Sequence, residues 1–415
     1  MCRYRFLVLL IIATLTSFSA RAQEVEDTIK IKTRVVFLDA LVKDKRTNEP
    51  ISNLATENFQ VLDNGKPRDI AYFTREGQAR KPLALVLILD LREDGAGRFL
   101  KQTEILKSME NELAKLPPGD EVAILAMDVS DGEERIWLTE FTNDRAKIAE
   151  ALARVPAMCI PHDVSPAEKT TAAASPAPAP APAPQGEGKP DDIIETETIR
   201  GRNGGVITRS TRRDGTVNVT RVSKDGKMTI ELGDVYDMAA AVKEASRKAE
   251  ELRPNSQTSI VWVSDGIAPI FYEDRDATEQ VLIRGNVIFN SLTVELRTLF
   301  KFLVPMSKPI TGWLGLSLYG SAKYLAQQSG GEAVKVGRVK DYGVGLSKII
   351  GNLTARYSLG FALAENEVDD GRMHTLQVRV NAKDEKGKTR KLLVSSRQGY
   401  YMSSTIPKDA AARVQ

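Results

Sequence analysis

Seven consecutive apolar residues, Leu83-Ala84-Leu85-Val86-Leu87-Ile88-Leu89, run without a polar interruption and stop at Asp90. A strand with one solvated face alternates apolar and polar residues, so an unbroken run predicts a strand covered on both faces, as in a parallel α/β sheet. A carboxylate at the end of such a strand falls where open α/β sheets present their ligands. The surrounding pattern keeps the same rhythm. Leu106, Met109, Leu113 and Leu116 recur at helical spacing until Pro117-Pro118-Gly119 stops them, and strands are expected over 122–127 and 136–141 with a helix over 143–155. Further on, Asp234 reads as a helix cap before Val235, Met238, Val242, Ala245, Ala249 and Leu252, all on one face. A second buried strand, Ser259-Ile260-Val261-Trp262-Val263, closes at Ser264-Asp265-Gly266. A third strand over 287–292, a helix over 319–328 ended by Gly330-Gly331, a strand over 332–336 and a helix over 342–355 complete the alternation.

Both ends of the chain read differently. Residues 28–76 form a β unit: 29–32 alternate, Val35-Val36-Phe37-Leu38 is rich in strand formers, and Asn64-Gly65 is a tight-turn pair between Phe59-Gln60-Val61-Leu62 and Ile70-Ala71-Tyr72-Phe73. That is too few residues to hold a core alone. Strands return over 357–363, 374–380 and 391–396, within a carboxy-terminal β unit spanning 356–402 and followed by a tail over 403–415. Pairing of the two units would make one β sandwich interrupted by the α/β domain.

The first 22 residues carry Arg3 and Arg5, an apolar stretch over 6–15 and Ala20-Arg21-Ala22, the small-x-small form of a secretory cleavage site. They read as a signal peptide, which points to secretion, the periplasm or the cell surface. A retained anchor is the other reading, although the stretch is shorter than the ~20 residues a spanning helix needs. No later segment is apolar enough to cross a bilayer. The formal charge of +3 is that of Arg3, Arg5 and Arg21, so the remainder is balanced and offers no long basic run for nucleic acid. Beyond Cys2 only Cys159 remains, which excludes an intramolecular disulfide after cleavage. Residues 161–227 break the α/β rhythm; the Ala-Pro repeats over 175–184 imply an extended, coreless insertion, with Arg209, Arg212 and Arg213 in a solvated loop.

The order of several short motifs resembles the von Willebrand factor type A (VWA) domain, and more closely the VWA-related exported proteins of acidobacteria. The motifs are the stretch from Leu54-Ala55-Thr56-Glu57-Asn58-Phe59 to Asn64-Gly65-Lys66-Pro67, then Leu89-Asp90, Val263-Ser264-Asp265-Gly266 and Gly330-Gly331-Glu332-Ala333. Arg356-Tyr357-Ser358-Leu359-Gly360-Phe361 and Arg397-Gln398-Gly399-Tyr400-Tyr401 follow. They span nearly the whole chain after the signal segment, apart from the insertion. The resemblance implies a Rossmann-like α/β domain over 82–355 with a mainly parallel sheet, plus a β-sandwich-like unit from the terminal strands. It also implies a metal-ion-dependent adhesion site with the pattern Asp-x-Ser-x-Ser, a loop Thr and a distant Asp, whose oxygens suit a hard divalent cation.

Asp90 matches the first Asp and Asp265 the distant one, but Arg92 and Asp94 stand where the two serines belong and Gly233 where the loop Thr belongs. A fixed guanidinium charge beside a divalent ion is strongly repelled. The expectation is therefore a degenerate site in which Arg92 pairs with Asp90 or Asp265, and no cofactor. Weak binding of Mg, Mn or Ca, with Asp94 replacing a serine hydroxyl, is the alternative. The implied role is non-catalytic protein–protein interaction or adhesion with an unidentified partner; a structural envelope protein and a metal-dependent hydrolase using Glu93 or Asp94 are the rivals. Other signals dissolve on inspection. Gly387-Lys388-Thr389 lacks the first Gly of a phosphate loop and joins two strands, and Gly315-Leu316-Ser317-Leu318-Tyr319 lacks the second Gly of a nucleophile elbow. The segment 128–132 has the wrong spacing for a calcium loop. His162 and His374 are the only histidines, and neither sits in a catalytic pattern.

Overall fold

The computed structural model describes residues 34–75, 80–92, 96–127, 135–158, 193–212, 217–226, 229–233, 238–294, 315–317, 320–364, 366–367, 369–383 and 387–402. The expected signal segment, the strand expected over 29–32, Glu93 and Asp94, Cys159, the Ala-Pro repeats, Asp234 and the tail lie outside them.

The chain enters through β1 (Val35–Asp44), β2 (Phe59–Asp63), β3 (Lys66–Arg68) and β4 (Tyr72–Thr74). Asn64 and Gly65 turn with φ of 48° and 79°, the left-handed pair that a two-residue hairpin requires. So short a turn forces the residues beside it to pair, and β2 pairs with β3, Leu62 opposite Pro67. The hairpin expected between 59–62 and 70–73 is thus corrected: β4 leaves for another sheet.

The α/β layer follows with β5 (Leu83–Asp90), α1 (Thr103–Leu113), β6 (Glu121–Met127), β7 (Arg135–Thr142) and α2 (Arg145–Met158). Next come β8 (Ile193–Arg200), β9 (Val206–Arg212), β10 (Val217–Val222) and β11 (Thr229–Gly233), a separate antiparallel meander. The layer resumes with α3 (Met238–Leu252), β12 (Gln257–Ser264), β13 (Ile270–Phe271), α4 (Tyr272–Arg284), β14 (Ile288–Val294), β15 (Leu316–Ser317), α5 (Ser321–Ser329), β16 (Ala333–Val336) and α6 (Tyr342–Thr354). The central sheet has the order β16-β14-β12-β5-β6-β7, parallel throughout except for β7 at one edge. Every residue of β5 is buried. Leu83, Leu85, Leu87 and Leu89 pack with residues of α1, α2 and α6, while Ala84, Val86 and Ile88 pack with residues of α3, α4 and α5. Helices therefore cover both faces, which is why the sequence of β5 has no polar alternation.

The structureless insertion expected over 161–227 is corrected from residue 193 onward. Runs such as Val206-Ile207-Thr208 and Val217-Asn218-Val219-Thr220 are rich in β-branched residues and pair along the meander. Ile199, Ile207 and Val219 bury against Phe271. Arg209, expected in solvent, is buried and donates to Asp274 at 2.7 Å and Glu197 at 2.8 Å. Glu273, fully buried, accepts from Arg221 Nη2 at 2.8 Å and Asn203 Nδ2 at 2.8 Å. A small apolar core supplemented by buried ion pairs leaves no periodic apolar signature, and the reading from composition missed it.

The chain ends in β17 (Tyr357–Ala362), β18 (Met373–Val380), β19 (Leu392–Ser396) and β20 (Gly399–Tyr401). These join the first strands in two four-stranded sheets, β19-β1-β17-β4 and β20-β18-β2-β3. Leu38, Val61, Tyr357, Phe361, Leu376 and Tyr400 share the core between them. The two ends of the sequence thus form one β sandwich, with the α/β layer inserted between β4 and β17. Tyr357 pins the sandwich by donating to the Ile51 carbonyl at 2.7 Å and accepting from the Leu54 amide at 3.0 Å.

Candidate functional site

Asp90 and Asp265 meet at the carboxyl edge of the central sheet because they end or follow the adjacent parallel strands β5 and β12. Both are completely buried. Arg92 follows Asp90 by two residues, and its guanidinium reaches across both carboxylates. Nε lies 3.3 Å from Asp90 Oδ1, while Nη2 lies 3.4 Å from Asp90 Oδ2, 3.2 Å from Asp265 Oδ1 and 2.9 Å from the Ile267 carbonyl. Ser264 Oγ donates to Asp90 Oδ2 at 2.6 Å, and the Ile267 amide donates to Asp265 Oδ1 at 2.9 Å. Burial raises the Asp265 carboxyl above its ordinary range, the neighbouring Asp90 adds to the rise, and the Ile267 amide and Arg92 pull against it.

Three residues that the sequence reading did not single out hold this arrangement. Tyr342, the first residue of α6, is buried and donates its hydroxyl to the Ser264 carbonyl at 2.9 Å. Burial and the two carboxylates push its phenol well above the tyrosine range. Gly97 starts the helical turn after the Asp90 loop so close to it that a Cβ would stand 2.1 Å from the Leu91 carbonyl oxygen; its amide donates to the Arg92 carbonyl at 2.9 Å. Ser264 was read as the close of a strand and as part of the Val263–Gly266 motif, with no role of its own. The signals existed: a Gly placed soon after the Asp90 turn and a Tyr beginning an apolar helix. Neither is specific without the third dimension.

Gly233 ends β11 opposite Asn218. Glu93 and Asp94 lie outside the described residues. His374 is the second residue of β18, where its ring packs at 5.0 Å against Tyr400 and its Nδ1 is 3.0 Å from Asn64 Nδ2, far in sequence from the carboxylate pair.

Of the carboxylates that the resemblance implies for a divalent cation, Asp90 and Asp265 lie together here, and Asp94 lies outside the described residues. A guanidinium spans the two carboxylates, and no group of three or more His, Cys, Asp or Glu side chains that could hold a metal occurs among the described residues. One oxygen, Asp265 Oδ2, is buried without a hydrogen-bond partner among them. A carboxyl with an upward-shifted pKa tolerates this better than a fully ionised one.

No protein-family model and no curated protein matches the sequence. Among solved structures the chain is similar to the VWA domain of SpRpn10, with 8% identity over 64% of this chain and 94% of that one at a TM-score of 0.31. It is similar to the manganese-loaded TRAP protein of Plasmodium vivax, with 11% identity over 79% of this chain and 96% of that one at a TM-score of 0.34. The pilus adhesin SpaC from Lactobacillus rhamnosus GG gives 9% identity over 84% of this chain at a TM-score of 0.34, and this chain spans 48% of its length. The α/β class rests on the strand order and on the helices covering both sheet faces, not on these distant likenesses. Among the described residues no helix is long and apolar enough to cross a membrane.

Proposed function

We propose that this chain is an exported, non-catalytic interaction protein of the VWA type, in which Arg92 has taken the place of the metal at the carboxyl edge of the sheet. The observation that carries the reading is the Arg92 guanidinium, within 3.4 Å of oxygens of both Asp90 and Asp265. With its charge fixed inside the chain, the face needs no divalent ion to keep two buried carboxylates together. A hydrolase would need a polarised water and a free base. The carboxylates Asp90 and Asp265 are instead held by Arg92, Ser264 and the Ile267 amide. Export rests on the leader-like residues 1–22, and adhesion or partner binding on the resemblance and on the position of the site. The membership of an acidobacterial VWA-related family belongs to the same proposal.

The test is the melting temperature of the purified chain after chelation and then with magnesium, manganese or calcium. An ion binding only the folded state stabilises it by about 2.7 kcal/mol at 100 times its dissociation constant. The reading predicts no shift with any of the three. A rise that disappears in Asp265→Ala would restore the metal-dependent reading.

A further inference from the structure

The Gly330-Gly331-Glu332-Ala333 motif plays no part at the Asp90–Asp265 edge and falls instead where the α/β layer meets the sandwich. Gly330 turns with a φ of 82°, and a Cβ there would stand 2.5 Å from the Arg397 amide nitrogen; one on Gly331 would stand 1.9 Å from the Phe289 carbonyl oxygen. The glycine pair lets the chain pass between β14 and the turn from β19 to β20. It leaves Glu332 in contact with both β1 and α6.

There one carboxylate engages two nitrogens. Lys43 of β1 forms an ion pair with Glu332 Oε1, and Asn352 Nδ2 of α6 donates to Glu332 Oε2. Lys43 and Asn352 are each 5% exposed, and the Glu332 side chain is 13% exposed. An ammonium taken out of water is costly even when it is paired. The buried guanidinium of Arg356 faces the same carboxylate, with Asp39 on it as well. Two cations thus share Glu332, and of the two only the ammonium can give up a proton. A primary amine and a carboxamide bridged by one carboxyl group, away from water, are the components of an amide exchange.

We propose that Lys43 and Asn352 join in an isopeptide bond, with Glu332 carrying the protons. The Lys43 ammonium passes one proton to Glu332, and the freed Nζ attacks Asn352 Cγ to form the Nζ–Cγ bond. Glu332 returns that proton to Nδ2 and takes a second from Nζ. The Cγ–Nδ2 bond breaks, and the departing ammonia leaves with the second proton as ammonium. Glu332 is again a carboxylate facing Arg356, and one buried charge has gone to solvent. The exchange is redox-neutral and consumes only the two side chains. The bond ties the sandwich to the last helix of the α/β layer. A bridge between residues so far apart in sequence constrains the unfolded chain as a disulfide does, in a sequence whose only cysteines are Cys2 and Cys159. It is independent of the Asp90–Asp265 edge and stands whether or not a metal binds there.

The test is tryptic peptide mapping of the purified, folded chain by mass spectrometry. Trypsin does not cut after an acylated lysine, so the expected product is residues 35–45 joined to residues 349–356, lighter than the two together by one ammonia. Lys43→Arg keeps the cation but removes the nucleophile, and Glu332→Gln keeps the shape but removes the proton carrier. Neither variant should give the joined peptide, and both should melt below the native chain. Separate peptides 35–43 and 349–356 at full mass, from a native chain shown to be folded by circular dichroism, would overturn the proposal, whether or not the variants fold. A joined peptide undiminished in Glu332→Gln would overturn the role given to Glu332.

Discussion

At the scale of residues, the charge balance at Asp90, Arg92 and Asp265 is the feature on which the proposed function turns. Removing one partner from a buried ionic cluster leaves uncompensated charge and typically costs ~3–5 kcal/mol. Arg92→Ala, with the two carboxylates fully buried, should lower unfolding free energy by that order in urea titrations at neutral pH. The pH dependence has a definite sign. An acid whose folded pKa lies above its unfolded value binds more protons when folded, so stability falls as pH rises through the window between the two. Asp265 is such a group, its carboxyl raised from 3.8 by burial first and by Asp90 as well. Without Arg92 its pKa rises further, so the Arg92→Ala penalty should shrink as pH is lowered towards 4. A penalty that stays constant across that range would remove Asp265 from the account. That Asp90 and Asp265 share one site was read from the resemblance, and the apolar run before each placed them at strand ends. Tyr342 and Gly97 were not, since a buried hydroxyl and a close backbone approach leave no spacing pattern.

At the scale of elements, the meander β8–β11 is fastened by charge. Burial works to raise the Glu273 carboxyl, but hydrogen bonds from Arg221 and Asn203 outweigh it and hold it below its ordinary value of 4.5. A depressed carboxylate contributes stability that is present above the unfolded pKa and lost as pH falls through the folded one. Glu197, held down by Lys243 and Arg209 against its own burial, adds in the same direction. Amides of β9 and β10 should therefore lose hydrogen-exchange protection below about pH 4.5 before those of β5, and Glu273→Gln should already show the loss at neutral pH. Equal protection of β5 and β9 at every pH would rule out a separately fastened meander. The contrast explains what the sequence could reveal. In β5 apolar burial is continuous, so the run 83–89 announces itself. In the meander, burial is shared among Ile199, Ile207, Val219 and the arginine–carboxylate pairs, and charged residues read as solvated until their partners are known. The Asn64-Gly65 turn was legible for its conformation but not for its partner, because β4 is taken into the other sheet by β17.

At the scale of the whole molecule, the fold is closed by its two ends. β1 lies between β17 and β19, and β18 lies between β2 and β20, so neither sheet survives without both termini. A chain lacking residues 24–75 should keep the α/β layer but expose β17–β20 to protease, and cleavage confined to the α/β layer would contradict the interleaved sandwich. This organisation was readable from the strand patterns at either end and the α/β rhythm between them. The clefts and charges between the parts were not, since they arise only where distant segments meet. The central claim is that Arg92 replaces a metal at the carboxyl edge of the sheet, and the most direct measurement is the number of manganese ions bound, counted by electron paramagnetic resonance in the native chain and in Arg92→Ser. The account predicts no bound manganese at millimolar concentration in the native chain; one ion bound stoichiometrically, and released by Asp265→Ala, would contradict it.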